Sequence, residues 1–201
     1  MPYFYSRSKS HTCTPNEESH SPPDVTDVIP SFNRNEIIES TLKSVFSSEG
    51  EISIEIIIVD DGSDQPVANC LSHPYIVCCK VIRQNNQGLL FARLTGLMSA
   101  LGRYVLFLDS DDLISADKLA SHVQSMDHLN LDISYTNTAT SVLIHSGEDW
   151  AVNNIQEVSV TADHAWFLLR IQPAPHSPIF RRDYLLKAVE EAPMPPSKNY
   201  N

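Results

Sequence analysis

The chain has 201 residues, 42% of them hydrophobic and 19% charged, with a formal net charge of −11. That length suits one domain with an appendage, while the acidic balance speaks against a nucleic-acid binder, whose footprint is a basic patch. No apolar run approaches the ~18 residues of a membrane span, and the opening "MPYFYSRSKSHTCTPNEESHSPPD" has no apolar core of a signal peptide.

Residues 1–24, rich in Ser, Pro and His, read as a flexible N-terminal arm. "DVTDVIPSF" then predicts a short strand ended by Pro30. Asn33 with Glu36 three residues on is a helix-start pattern of capping-box type, and Ile37, Ile38, Leu42, Val45 and Phe46 follow as a helical stripe. "ISIEIIIVDD" is a β-branched run of the kind covered on both faces. "YIVCCKVI" predicts a third strand, and its Cys78 and Cys79 read as buried strand thiols. With Cys13 and Cys70 they form no CxxC pair and no disulfide framework, so a reducing cytoplasm is the expected setting.

Leu90, Leu94, Leu97, Met98 and Leu101 mark the next helix, with Gly102 at its end. "RYVLFLD" is a fourth strand. Ser115 is placed to cap a helix carrying Leu119, Val123, Met126 and Leu129. "DISYTNTATSVLI" alternates like exposed or antiparallel strands, and helices are expected around "ADHAWFLLR" and "RRDYLLKAVEE". Strands alternating with helices mean βαβ units: an α/β fold with a mostly parallel central sheet and helices on both faces.

In such a sheet, ligands bind beyond the carboxyl ends of the strands. There the first strand ends in "PSFN", the second in "VDDGSD" and the fourth in "LDSDD", so three polar clusters converge. Asp109, Asp111 and Asp112 suit a divalent cation with oxygen ligands; Mg²⁺ takes one or two carboxylates and completes its shell with phosphate and water. The plainer reading is a solvated turn whose acids cap the next helix. Asp60 and Asp61 close a buried strand, where a carboxylate can accept from a nucleobase N–H. The turn reading gives Gly62 a positive φ and Asp64 a helix cap; Asp61 is assigned to a ligand and Asp64 to structure. Arg93, on an apolar helix, either snorkels to water or aims a donor fork at a ligand. His176, in "QPAPHSP", is a further candidate ligand for the metal or the acceptor.

Together, "VIPSFNR", "IIIVDDGSD", "NNQGLLFARLTGLMSALGRYVLFLDSDD" and, more weakly, "PHSPIFRRDYLL" resemble the nucleotide-sugar domain of glycosyltransferase family 2, inverting enzymes of the GT-A fold. The resemblance runs from Val25 to about Leu186. It implies one domain over 25–201, with a nucleotide-binding half (25–112) and a partial acceptor half (113–201). By it, Pro30, Phe32 and Asn33 line the base pocket, Asp61 contacts the base, and Arg93, Asp109 and Ser110 join the nucleotide-sugar site. Asp111 and Asp109, with His176 as a further candidate, hold Mn²⁺ or Mg²⁺ on the diphosphate.

The implied donor is a UDP-sugar and the implied acceptor a glycan or a lipid-linked glycan. The implied process is surface polysaccharide or lipopolysaccharide synthesis, in the cytoplasm or peripherally at the inner face of the membrane. Two departures stand out. Leu94 replaces a frequent Asn, and the acidic pair that usually carries the catalytic base is not found before Asn201. Glu190 and Glu191 are read as lying on the preceding helix. The expectation is therefore a fragment or degenerate copy that binds nucleotide but turns over poorly. Two alternatives stay open here: a haloacid-dehalogenase-like phosphatase with Asp109 as nucleophile and Asp111 as acid/base, and a non-catalytic binding relic. Leu113 stands where the phosphatase pattern has Thr or Val.

Overall fold

The structure, a computed structural model, describes residues 21–143, 150–156 and 176–192. Its main sheet is built on β1 (Val25–Ser31), β2 (Ile54–Asp60), β3 (Lys80–Arg83) and β4 (Tyr104–Phe107), all parallel. β5 (Ile133–Ser134) and β8 (Ile179–Arg181) complete it in the order β3-β2-β1-β4-β8-β5, with β8 antiparallel to β4 and β5 antiparallel to β8. β6 (Thr138–Leu143) and β7 (Trp150–Gln156) pair as a separate antiparallel ribbon. The helices are α1 (Ile38–Phe46), α2 (Tyr75–Cys78), α3 (Leu89–Ser99), α4 (Lys118–Leu129) and α5 (Arg182–Glu191).

The run in β2 is continuous because both faces are covered. Ile56 and Ile58 join the core that α1 and α4 close with Ile38, Leu42, Leu119 and Met126. Ile57 and Val59, pointing the other way, join Ala92 and Leu97 of α3 against Leu185 and Leu186 of α5. Each such buried aliphatic side chain contributes about 1.5–3 kcal/mol of apolar transfer. Helices therefore cover both faces of a largely parallel sheet, as the alternation of strands and helices implied. Gly96 lets α3 lie directly on β1, since a Cβ there would overlap Val28 Cγ1. Gly96→Ala is accordingly expected to cost about 1–3 kcal/mol in urea unfolding.

Several local expectations are corrected. β1 does not end at Pro30 but pairs through Ser31↔Asp60. Pro30 has no N–H, and it falls where the β1–β4 ladder has already stopped after Leu108 N–H donates to the Val28 carbonyl; the missing donor ends one ladder and spares the other. Asn33 and Glu36 form no capping box: α1 starts at Ile38 with no side-chain cap. "YIVCCKVI" splits into the turn of α2 and the short edge strand β3, which starts only at Lys80. Cys78 closes α2 and is not on a strand, whereas Cys79 is a free thiol pushed up to about 12 by burial. Ser115 supplies its carbonyl, not its hydroxyl, to the Lys118 N–H at the start of α4.

Pro23 and Asp24, placed in the expected arm, are fastened to the sheet: the Pro23 carbonyl accepts from Arg103 N–H, and Asp24 bonds Ser53 and Arg103. The helix expected around "ADHAWFLLR" lies outside the described residues, as do residues 1–20.

Candidate active site

The carboxyl ends of β1, β2 and β4 meet as expected, and hydrogen bonds rather than packing shape that edge. Asp60, almost wholly buried, accepts from Ser63 N–H (2.9 Å), Val67 N–H (3.1 Å) and Arg83 Nη1 (2.5 Å). Burial works to raise its pKa, but these donors hold it below the ordinary carboxylate range. Asp60 is thus the strut of the 60–67 turn.

Asp61 holds the other side. Its Oδ1 accepts from Gln84 Nε2 (2.7 Å) and Gln87 N–H (2.9 Å), and its Oδ2 from Gly88 N–H (2.8 Å). Gly88, at φ +88°, immediately precedes α3, so Asp61 ties the end of β2 to the start of the helix carrying Arg93. A carboxylate has about four lone-pair sites, and three are used. One remains for an N–H from outside.

Beside it, Phe32 is 47% exposed, and Pro30 is buried under the strand end. Asn33 sits at φ +53°. Its backbone N–H donates to Ser63 Oγ, its Nδ2 to Asp64 Oδ2 (3.2 Å), and its Oδ1 accepts from Asp64 N–H (2.9 Å). That exchange explains both failed caps: Asn33 and Asp64 satisfy each other across the strand ends instead of capping helices.

The acidic turn leaves β4 at Asp109. Arg93 Nη2 reaches Asp109 Oδ1 at 2.5 Å, with its guanidinium 6.0 Å from the Phe107 ring centroid. Arg93 Nε is buried without a hydrogen-bond partner. Arg93 therefore points at the site instead of snorkelling away. Asp112 N–H closes the turn on the Asp109 carbonyl. Ser110 is buried, with its carbonyl taken by Thr41 Oγ1 at 2.9 Å. Asp111 is exposed. Asp112 Oδ2 lies 2.6 Å from His176 Nδ1; since a carboxylate only accepts, Nδ1 is the donor, and in the neutral ring that leaves the lone pair on Nε2.

Among the described residues no three His, Cys, Asp or Glu side chains gather to hold an ion by themselves. The donor set still fits a hard cation that takes one or two carboxylates and finishes its shell on a diphosphate: Asp111 is exposed, two residues from Asp109 in the same acidic turn, and His176 is bonded to Asp112 of that turn. Leu94, in place of a frequent Asn, is partly buried on α3.

Sequence reasoning missed a polar cluster beneath this turn. Lys118, the first residue of α4, is 7% exposed, His122 2% and Asp27 0%. Lys118 Nζ contacts the Ser177 carbonyl (2.9 Å), Thr136 Oγ1 (3.1 Å) and His122 Nε2 (3.3 Å). Burial pushes Lys118 down to about 8, and burial with the Lys118 charge pushes His122 down to about 3. The signal in the sequence was Asp27, a lone carboxylate inside the apolar run of β1.

A largely parallel sheet with helices on both faces and acidic strand ends at its carboxyl edge is the GT-A arrangement of nucleotide-sugar transferases. The chain belongs to glycosyltransferase family 2: the model of that family, "Glycosyl transferase family 2", matches residues 27–169. This sets aside the phosphatase alternative. Among curated relatives, the glucosyltransferase WfaP of Escherichia coli, named for UDP-Glc and α-D-GlcNAc-diphosphoundecaprenol, is 34% identical over 118 residues, covering 56% of this chain and 45% of WfaP.

Two solved structures share the fold. One is Staphylococcus aureus TarS 1–349 with UDP-GlcNAc (TM-score 0.60, 20% identity, 83% of this chain and 47% of that one). The other is the mannosyltransferase PcManGT of Pyrobaculum calidifontis with GDP-Man and Mn²⁺ (TM-score 0.58, 18% identity, 84% and 47%). The matched stretch spans less than half the length of these proteins, and 18% of an uncharacterised glycosyltransferase of Rickettsia conorii.

Proposed function

We propose that the carboxyl edge binds a nucleotide-diphosphate sugar, with UDP as the nucleotide, and that the whole protein transfers the sugar with inversion to an acceptor hydroxyl in surface-polysaccharide or lipopolysaccharide synthesis. One observation carries this reading. A base-facing carboxylate with one free acceptor site (Asp61), an arginine aimed at the site (Arg93) and an outward carboxylate (Asp111) stand beyond the ends of β2 and β4, the two strands that flank β1, and on α3. Phe32 offers an exposed ring for stacking a base, with Pro30 and Asn33 forming the floor.

Arg93 and Ser110 would meet the nucleotide-sugar diphosphate, and Asp111, with Asp109 and His176, would hold Mn²⁺ or Mg²⁺ there. When bound, that ion stabilises the departing diphosphate charge by Lewis-acid action. The acceptor proton would pass to a carboxylate outside the described residues; Glu190 and Glu191, the last acids of the chain, close α5. The WfaP name supports a lipid-linked glycan as acceptor, and the PcManGT complex supports a divalent cation. Among the described residues no helix is long and apolar enough to cross a membrane; contact with the inner face of a bilayer, as the lipid-linked acceptor in the WfaP name suggests, is read as peripheral.

Thermal unfolding with UDP, GDP, CDP and dTDP, each with and without Mn²⁺, tests this. A nucleotide at 100 times its dissociation constant adds about 2.7 kcal/mol. UDP with Mn²⁺ should give the largest shift, and Asp111→Ala should remove the Mn²⁺-dependent part while leaving the fold. No response to any nucleotide would favour a non-binding relic.

A further inference from the structure

We propose that Lys118 is the positioning residue that seats His176 against the acidic turn. The inference rests on the nucleotide-sugar reading of this edge for its consequence, but not for its geometry. An ammonium has three N–H donors, and Lys118 finds three acceptors, each from a different segment. His122 Nε2 lies one turn along α4, Thr136 Oγ1 follows β5, and the Ser177 carbonyl precedes β8. His122 can accept because it is neutral, with Nδ1 turned to Ser134 Oγ at 2.8 Å. Ser177 is fully buried and adds a second tie from its hydroxyl to the Thr136 carbonyl at 2.6 Å.

The consequence appears one residue away. Ser177 is held from below by Lys118, and its neighbour His176 is bonded to Asp112. Asp112 lies in the turn that leads into α4, whose first residue is Lys118. The contacts close a ring: acidic turn, α4 start, Lys118, Ser177, His176 and back to Asp112. Because β8 runs antiparallel to β4, with Ile179 opposite Leu106, the 176–178 segment reaches the edge only at the strand's start. Lys118 holds its backbone there through the Ser177 carbonyl, and the Asp112 carboxylate holds the His176 side chain. Asp27, fully buried and without a hydrogen-bond partner, is the carboxyl coupled electrostatically to this ammonium.

Two variants test the clamp. Lys118→Met removes it. Asp27→Val with Lys118→Met removes it together with the buried carboxyl coupled to it, a replacement of buried polar groups by apolar ones that proteins commonly tolerate. The ligand-free protein is read first, by the ¹⁵N spectrum of the His176 imidazole. Wild type should show the Nδ1–H tautomer that Asp112 dictates, and both variants should move to the mixture of a free imidazole. Mn²⁺-dependent UDP affinity is read second, and should fall about tenfold in either variant, as for loss of an outer-shell partner.

In a His176→Ala background Lys118→Met should change that affinity no further, because the effect passes through His176. An unchanged tautomer in both variants overturns the proposal, as does a loss that adds fully to that of His176→Ala. If wild type binds no nucleotide at all, the nucleotide-sugar reading falls, and the tautomer alone decides the clamp.

Discussion

Asp27→Val is expected to stabilise the protein, and by more at pH 8 than at pH 5. Asp27 is fully buried on β1 with neither carboxyl oxygen hydrogen-bonded, and an unsatisfied buried polar group costs about 1–3 kcal/mol. Valine removes that cost at any pH. The rest is proton linkage. Burial raises the Asp27 pKa from 3.8 to about 8, against an opposing pull from Lys118. The folded state therefore binds more protons than the unfolded one over that interval, so stability falls as pH rises through it, at about 1.4 kcal/mol per unit. Between pH 5 and 8 the variant should gain a further ~2–4 kcal/mol over wild type.

The neighbours shape the wild-type profile. His122, held at about 3, contributes the opposite slope up to 6.5, and Lys118, held at about 8, does so up to 10.5. Wild type should be nearly flat from roughly pH 4 to 6.5, fall to a minimum near pH 8 and recover only to about pH 9, above which the raised Cys79 thiol opposes Lys118. Urea midpoints across this range check the profile. Asp27→Asn keeps an unpartnered polar group but does not titrate, so it separates the two contributions. A wild-type stability that rises between pH 6.5 and 8 would contradict the account.

The parts of the fold that were legible are those where local pattern and tertiary demand agree. The β-branched run of β2 is buried on both faces by α1, α4 and α3, and its apolar continuity said so. The alternation of strands and helices predicts "PSFN", "VDDGSD" and "LDSDD" on one edge, and the parallel order β2-β1-β4 puts those strand ends side by side.

What misled were local signatures with stronger distant partners. Asn33 carries a capping pattern, yet Ser63 and Asp64, thirty residues on, take its polar atoms. "YIVCCKVI" has strand composition, but only its last residues can pair with β2, at Ile57↔Lys80 onward. Lys118 carries no local signal of its place. Its burial depends on β5 and the 176–178 segment folding over it, a long-range arrangement that spacing does not encode. The same holds for the role of Asp61. The sequence singled it out for a ligand, whereas the structure also makes it the acceptor for three donors of the 84–88 segment.

That double duty makes Asp61→Ala the substitution with the largest expected effect on binding. Removing the carboxylate leaves the Gln87 and Gly88 N–H groups and the Gln84 amide without their acceptor. At about 1–3 kcal/mol for a buried unsatisfied donor, and with part of this segment able to reach water, a loss of about 2–4 kcal/mol is expected. The damage extends beyond stability because Gly88 leads into α3, where Arg93 sits. Loss of the base acceptor, with a shift of the Arg93 guanidinium from Asp109, should weaken UDP binding about tenfold to a hundredfold, since hydrogen bonds to charged groups contribute about 1.5–3 kcal/mol.

Asp61→Asn should not rescue it. Its one oxygen can serve Gln84 and Gln87, but its NH₂ then faces the Gly88 N–H, donor against donor. Asp60→Ala is the contrasting variant. It removes the acceptor for Ser63, Val67 and Arg83 and should destabilise at least as much, yet retain nucleotide affinity wherever it stays folded, because Asp60 is spent on the turn. Calorimetric titration of the two alanine variants with UDP and Mn²⁺, below their unfolding temperatures, distinguishes them. Equal affinity losses for both would mean that Asp61 acts only by holding the loop, and that the fourth acceptor site on its carboxylate is not used for a base.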